Sequence, residues 1–225
     1  MENNKEISRE NSSTINFGFP AKAFAYLNSY LFHPLFVPLY IILFLLYVHP
    51  SAFTGFSDAT KVRVIFIVII NLLFFPLISV LLLKAVGFID SIYLKNQKDR
   101  IIPYIASGIF FFWAYHVFKE QTQYPEVWVS YLLGLFLASS AALIANIYFK
   151  VSMHAVGVGG WIGFFYLLSN TQDVMMTWPL VAVLLITGMV CTSRMILKAH
   201  DAVDIYGGLV IGVLTQLAGW YFNAP

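Results

Sequence analysis

The chain has 225 residues, of which 60% are hydrophobic, 17% aromatic and only 11% charged. A water-soluble domain of this size cannot cover so much apolar surface, so the composition points into the bilayer. A net charge of +2 gives no argument for a nucleic-acid partner, and the single cysteine, Cys191, excludes an intramolecular disulfide or a Cys-x-x-Cys metal or redox site.

Residues 1–22 are polar and read as a solvated tail. They lack the apolar core and small-residue cleavage site of a cleaved signal peptide, so the first spanning helix is expected to direct membrane insertion. Seven apolar segments follow, at 27–49, 62–86, 101–118, 127–149, 155–170, 177–192 and 202–222. Crossing ~30 Å of hydrocarbon takes ~20 helical residues, so the fifth and sixth segments are short and their ends are expected in protein rather than lipid. None of the segments alternates strictly between apolar and polar residues, and lipid tolerates no unpaired backbone, which predicts helices rather than a barrel. The expected fold is all-α, a polytopic transmembrane bundle of about six or seven spanning helices formed by residues 23–225 as a single domain.

Small residues mark where these helices should touch. Gly157, Gly159, Gly160 and Gly163 fall in the fifth segment, and Gly208, Gly212 and Gly219 in the last. Close helix packing accounts for them without a ligand, and Asn71 and Asn146 read as interhelical hydrogen-bonding groups.

The loops divide by charge. If all seven segments cross, ten of the thirteen Lys and Arg fall on the side of the N-terminal tail, and Lys61, Arg63 and Lys119 on the other. The positive-inside rule would make the richer side cytoplasmic. Setting aside Lys98, Arg100, Lys150, Arg194 and Lys198, cations of the polar clusters described next, leaves five against three, so the side that carries the clusters stays open.

Three polar clusters meet on one face in this arrangement: KNQKDRIIP at 95–103, KVSMH at 150–154 and SRMILKAHDAVD at 193–204. They bring Lys98, Arg100, Lys150, Ser152, His154, Arg194, His200 and Asp204 together. Ionisable groups at a membrane are costly and usually pair, snorkel or serve function. Converging cations suit a multiply charged anion: guanidinium forks bind phosphate oxygens in pairs, and a lysine adds a point charge. His200 and Asp204 stand at i and i+4, expected on one helical face. The carboxylate can then take a hydrogen bond from one imidazole nitrogen and leave the other free to attack. His154 supplies a second imidazole to protonate a leaving oxygen. Such a site transfers a phosphoryl group without a metal or other cofactor. His33 and His116 belong to no cluster and read as structural.

At these residues the sequence resembles the type 2 phosphatidic acid phosphatase family, whose helical core is shared with vanadium haloperoxidases. The family pattern S-R-x5-H-x3-D is matched in full by Ser193, Arg194, His200 and Asp204. Four fixed residues at ~5% frequency each would coincide in roughly one chain per thousand of this length. The family's P-S-G-H is kept in part, as Val151-Ser152-Met153-His154, without its proline and glycine. The K-x6-R-P pattern is poorly matched: Arg100 is followed by proline only at Pro103, Tyr93 stands where the lysine would be, and Lys98 or Lys95 is the substitute.

The resemblance implies that His200 is the nucleophile that becomes a phosphohistidine, with Asp204 orienting it. His154 would protonate the leaving group, and Arg100, Ser152, Arg194 and Lys98 would hold phosphate oxygens. It further implies a bacterial cytoplasmic-membrane protein whose partners are a lipid phosphate or diphosphate substrate and membrane lipids. A lipid phosphotransferase of the same chemistry, or an inactive lipid binder or transporter, are the other readings. In many members the first two motifs share one extramembrane loop, whereas here residues 101–149 read as two crossings.

Overall fold

The computed structural model describes residues 17–94, 96–171 and 175–223. Among them the fold is all-helical, without strands. In chain order the helices are α1 (Phe19–Leu31), α2 (Val37–Tyr47), α3 (Asp58–Val68), α4 (Phe75–Ala85), α5 (Gln97–Lys119), α6 (Glu126–Ala145), α7 (Met153–Thr171), α8 (Thr177–Ile196) and α9 (Ala202–Asn223).

The apolar segment expected at 27–49 is not one helix. Pro34 biases His33 away from helical backbone, α1 ends at Leu31, and the chain restarts at Val37 with Pro38 in the first turn of α2. α1 itself starts at Phe19, inside the stretch expected to be tail, with Pro20 in its first turn. α3 begins on Ser57, whose hydroxyl accepts from the Thr60 N–H at 3.3 Å. It runs into α4 through a π-helical turn, Ile69–Phe74. Pro76 has no N–H to offer the preceding turn, and the widened turn just before it absorbs that loss. Asn71 lies in this turn and donates to Ile67 O of its own helix at 2.9 Å, not to a neighbouring helix.

Among the described residues, five helices are long and apolar enough to cross a membrane: the continuous stretch Asp58–Ala85, then α5, α6, α8 and α9. α2 is apolar but only 11 residues long. α7 is not one of the five; it carries four glycines with His154, Ser169 and Asn170, and its sides are taken up by α9, α8, α6 and α2. The most extensive contacts in the molecule are those of α9 with α7 and with α6.

Glycines make that packing possible. A Cβ on Gly212 would sit against the Val156 carbonyl oxygen and 2.5 Å from Gly160 N. One on Gly159 would come within 2.5 Å of Leu209 O, and one on Gly219 within 2.5 Å of Gly134 N. Backbone faces backbone at these crossings, as in small-residue contacts generally. Gly212→Ala is therefore expected to lower the melting temperature in detergent by several degrees, an overpacking cost of about 1–3 kcal/mol. Gly188→Ala, where an added Cβ meets nothing within 4 Å, should leave it unchanged.

Candidate active site

α8 ends in a Schellman turn. The Lys198 N–H donates to Met195 O at 2.9 Å and the Ala199 N–H to Arg194 O at 3.1 Å, with Lys198 in the left-handed region at φ 51°. This turn accounts for the five-residue spacing between Arg194 and His200. Arg194 occupies the last turn of the helix, and the reversal delivers His200 just beyond it. The strain of a left-handed lysine is of order 1 kcal/mol. The only other non-glycine with positive φ among the described residues is Leu94, at 48°, and it too borders this region.

His200 lies in the linker, two residues before α9, and not on a shared helical face with Asp204 as the spacing implied. The pairing forms all the same. Nδ1 of His200 faces two acceptors, Asp204 Oδ2 at 3.1 Å and Lys150 O at 3.2 Å. Both are oxygens without a proton, so Nδ1 carries the hydrogen and the lone pair remains on Nε2. The pair is well enclosed, with the two side chains 4% and 15% exposed.

The 150–154 loop is stitched to this linker. Lys150 Nζ donates to Ala199 O at 3.1 Å, and the Ser152 N–H donates to the Asp204 carbonyl at 3.1 Å. Ser152 is fully buried, and its hydroxyl accepts from the Ala155 N–H at 3.4 Å, capping α7. The first N–H groups of α7, on Met153 and His154, therefore stand at a helix N-terminus beside the cluster, an arrangement that favours anions.

Arg100 reaches the same place from the first turn of α5. Its Nε donates to Leu94 O at 2.7 Å and its Nη1 to Val151 O at 2.8 Å. Two carbonyls orient the guanidinium without a carboxylate to neutralise it. The antiparallel α5 and α6 make this possible by placing residues 100 and 150 at one end of the bundle. Gln97 and Asn146 clamp that end, each side-chain amide donating to the other's backbone carbonyl at 2.9 Å. Asn146 is thus the interhelical group that its position implied.

The fourth contributor is α1, which the sequence reading left out of the site. Asn28 Nδ2 donates to Ser193 Oγ at 2.9 Å, and Arg194 Nη1 donates to Ser29 Oγ at 3.3 Å. The Ser29 carbonyl accepts from His154 Nε2 at 3.0 Å, and the His33 ring lies against His154 with centroids 5.4 Å apart. Ser193, the first residue of the fully matched motif, thus anchors α1. Arg194 keeps a buried Nε–H without a hydrogen-bond partner among the described residues. Such a donor costs about 1–3 kcal/mol unless an acceptor meets it.

Arg100, Arg194, Lys150 and His200 act on one another electrostatically, and His154 joins them through Arg194 and His200. Burial, then the Arg100 guanidinium, push the Lys150 ammonium below its usual range, opposed by Asp204. Burial also lowers His200 to about 4, with Asp204 opposing and Arg100, Arg194 and Lys150 assisting. Two guanidinium groups and the Lys150 ammonium therefore stand around one carboxylate and the neutral His200 imidazole. Lys98 does not join them: it is exposed on α5, with no hydrogen bond to the cluster among the described residues. Lys150 holds the position beside Arg100 and Arg194 that Lys98 was expected to fill; Lys95 lies outside the described residues. A separate cavity of about 340 Å³, lined by His49, Phe53, Phe56 and Lys61, sits at the other end of α2 and shares no residue with this cluster.

Inorganic phosphate should bind here and raise the melting temperature of the detergent-solubilised protein; at a hundred times Kd the gain is about 2.7 kcal/mol. Arg194→Ala is expected to weaken phosphate binding by at least about tenfold, the loss of a charge-assisted hydrogen bond. Lys98→Ala should not change it. Calorimetric titration separates the two.

No protein-family model, curated protein or solved structure matches this chain. The resemblance stated above therefore rests on the motif residues alone.

Proposed function

We propose that this chain is an integral membrane phosphatase of the type 2 phosphatidic acid phosphatase kind, hydrolysing a lipid phosphate or diphosphate in a bacterial cytoplasmic membrane. The observation that carries the reading is the state of His200. Its Nδ1–H is spent on Asp204 and the Lys150 carbonyl, so its Nε2 lone pair is available amid Arg100, Arg194 and Lys150. A neutral nucleophile inside a cationic cradle suits attack on a phosphorus atom whose oxygens are anionic.

In the proposed reaction, Nε2 of His200 attacks phosphorus as the bond from phosphorus to the leaving oxygen breaks. The leaving oxygen takes a proton from His154. The positive charge that grows on the His200 ring is stabilised by Asp204 through Nδ1–H, and the negative charge on the phosphoryl oxygens by Arg100, Arg194, Lys150 and the first N–H groups of α7. Water then attacks the phosphohistidine, giving a proton back to His154, and the N–P bond breaks to release phosphate and regenerate His200. The site lies at helix ends, where a headgroup can meet the cations while its hydrocarbon chains stay among the exposed apolar side chains of α1 and α8, such as Leu27, Tyr30, Leu184 and Met195.

Phosphate release from a panel of lipid phosphates in detergent, with EDTA present, tests the reading. Activity is expected in EDTA and should vanish in His200→Ala; a strict need for added metal, or activity surviving that substitution, would overturn it. In Asp204→Asn the amide can present an N–H to Nδ1 and favour the wrong tautomer, although the Lys150 carbonyl still holds the correct one. A kcat loss of about 10²-fold is expected, smaller than for a carboxylate that acts alone.

The pH profile gives an independent check. A lowered imidazole pKa keeps the nucleophile neutral further into acid, so the limb of kcat/KM that reports protonation of His200 should fall near pH 4. An acid limb at the ordinary histidine value of 6.5 would contradict the enclosure described. Lys150→Met removes one of the cations holding the value down and should move the limb upward.

A further inference from the structure

α1 ends beside His154, and its last carbonyls can each be accounted for. Asn28 O accepts from the Phe32 N–H at 3.0 Å and Tyr30 O from the His33 N–H at 3.3 Å, while Leu31 O accepts from the Tyr40 hydroxyl at 2.8 Å. Ser29 O accepts from His154 Nε2. One of the carbonyls that every helix leaves open at its C-terminus is thus completed by the imidazole. A carbonyl can only accept, so Nε2 of His154 holds a hydrogen and Nδ1 is the nitrogen left to take up and release the catalytic proton. The negative end of the α1 dipole beside this ring also favours its protonated form, which the buried surroundings and Arg194 otherwise oppose.

A single hydrogen bond fixes one nitrogen but leaves the ring able to tilt through its χ1 and χ2 torsions. The His33 ring stands against His154 at 83° between planes, on a face where it can limit that tilt. His33 is itself fixed by the turn between α1 and α2, where its Nδ1 accepts from the Leu35 N–H at 3.3 Å. We propose that His33 is a positioning residue for the proton-donating histidine: its ring, with the Ser29 carbonyl, holds His154 so that Nδ1 meets the leaving oxygen. The inference rests on the reading of His154 as the acid, and makes the turn after α1 part of the catalytic apparatus.

A residue that acts through the acid matters most where the leaving group needs a proton. The test compares kcat/KM, which stops at phosphohistidine formation and so leaves out the water step shared by all substrates, on dodecyl phosphate, whose alkoxide leaves poorly, and on p-nitrophenyl phosphate, whose phenolate leaves readily, using the full chain in detergent. His33→Ala is expected to lower kcat/KM on dodecyl phosphate at least about tenfold, part of the 10²–10⁴-fold a placed acid supplies. On p-nitrophenyl phosphate kcat/KM should change little. His33→Phe restores a ring against His154 and should recover most of the lost rate. His33→Asn keeps an acceptor for the Leu35 N–H without a ring, and should behave like the alanine variant.

Equal losses on the two substrates, no loss in His33→Ala, or a phenylalanine variant no better than asparagine would each overturn the proposal. Histidine ¹⁵N NMR reads the same point without turnover. His154 should show one tautomer, protonated at Nε2, in the wild type and in His33→Phe, and lose it in His33→Ala; an unchanged spectrum there counts against the role. A wild-type protein inactive on both substrates would instead defeat the phosphatase reading, and the NMR result would still decide what His33 does to its neighbour.

Discussion

The site depends on how closely α9 can approach α7. Where backbone meets backbone at Gly159 and Gly212, the N-terminal ends of the two helices come level. The loops in front of them then bond across the gap: Ser152 N–H to Asp204 O, Lys150 Nζ to Ala199 O, and His200 Nδ1 to Lys150 O. Each bond uses at least one backbone group, so the interlock is insensitive to most side-chain changes and sensitive to spacing. Gly208 continues the contact to the site, where a Cβ would lie 2.8 Å from Ser152 O. Packing in the bundle and geometry at the cluster are two ends of one constraint.

Backbone carbonyls also decide which nitrogens the proposed chemistry would use. Each imidazole of the proposed pair has one nitrogen committed to a carbonyl: Nδ1 of His200 to Lys150, and Nε2 of His154 to Ser29. The working nitrogens are therefore opposite ones, Nε2 on the first ring and Nδ1 on the second. Arg100 follows the same principle, since Leu94 and Val151 orient its guanidinium through oxygens that bear no full charge. The cation keeps its charge for an incoming anion, which a carboxylate partner would have cancelled. Leu94 adopts an unfavourable φ in the turn that presents one of those oxygens, and Lys198 does likewise in the turn that delivers His200. Strain of this sort tends to collect where geometry serves function.

Much of this was legible in the sequence because it is local. The Ser193-Arg194…His200…Asp204 spacing encodes a helix end, a Schellman turn and a new helix start, all within a dozen residues. Apolar runs marked the long helices, and the glycines marked their closest contacts. What stayed hidden was tertiary. Apolar content alone could not show that 27–49 breaks at His33-Pro34, nor that the resulting short α1 folds against α8. Asn28 and Ser29 were a usable signal, two adjacent polar residues at the edge of an apolar run, yet only the packing shows that they grip Ser193, Arg194 and His154. Lys98 and Lys150 were indistinguishable as charges in clusters. The first points outward because its place on the opening turn of α5 differs by two residues, roughly half a helical turn, from that of Arg100.

The residues of the cluster are scattered from Asn28 to Asp204, and the helix that completes the interlock leaves the ribosome after the eight helices α1 to α8. Until α9 has entered the membrane and settled on α7, the Ser152 amide and the ammonium of Lys150 lack the partners that later hold them. Hydrocarbon would not tolerate them in that interval, but water at the rim of the bilayer does. A cradle assembled from far-apart stretches of a nascent chain has to lie where its pieces can wait hydrated, which is reason enough for every one of them to stand at a helix end.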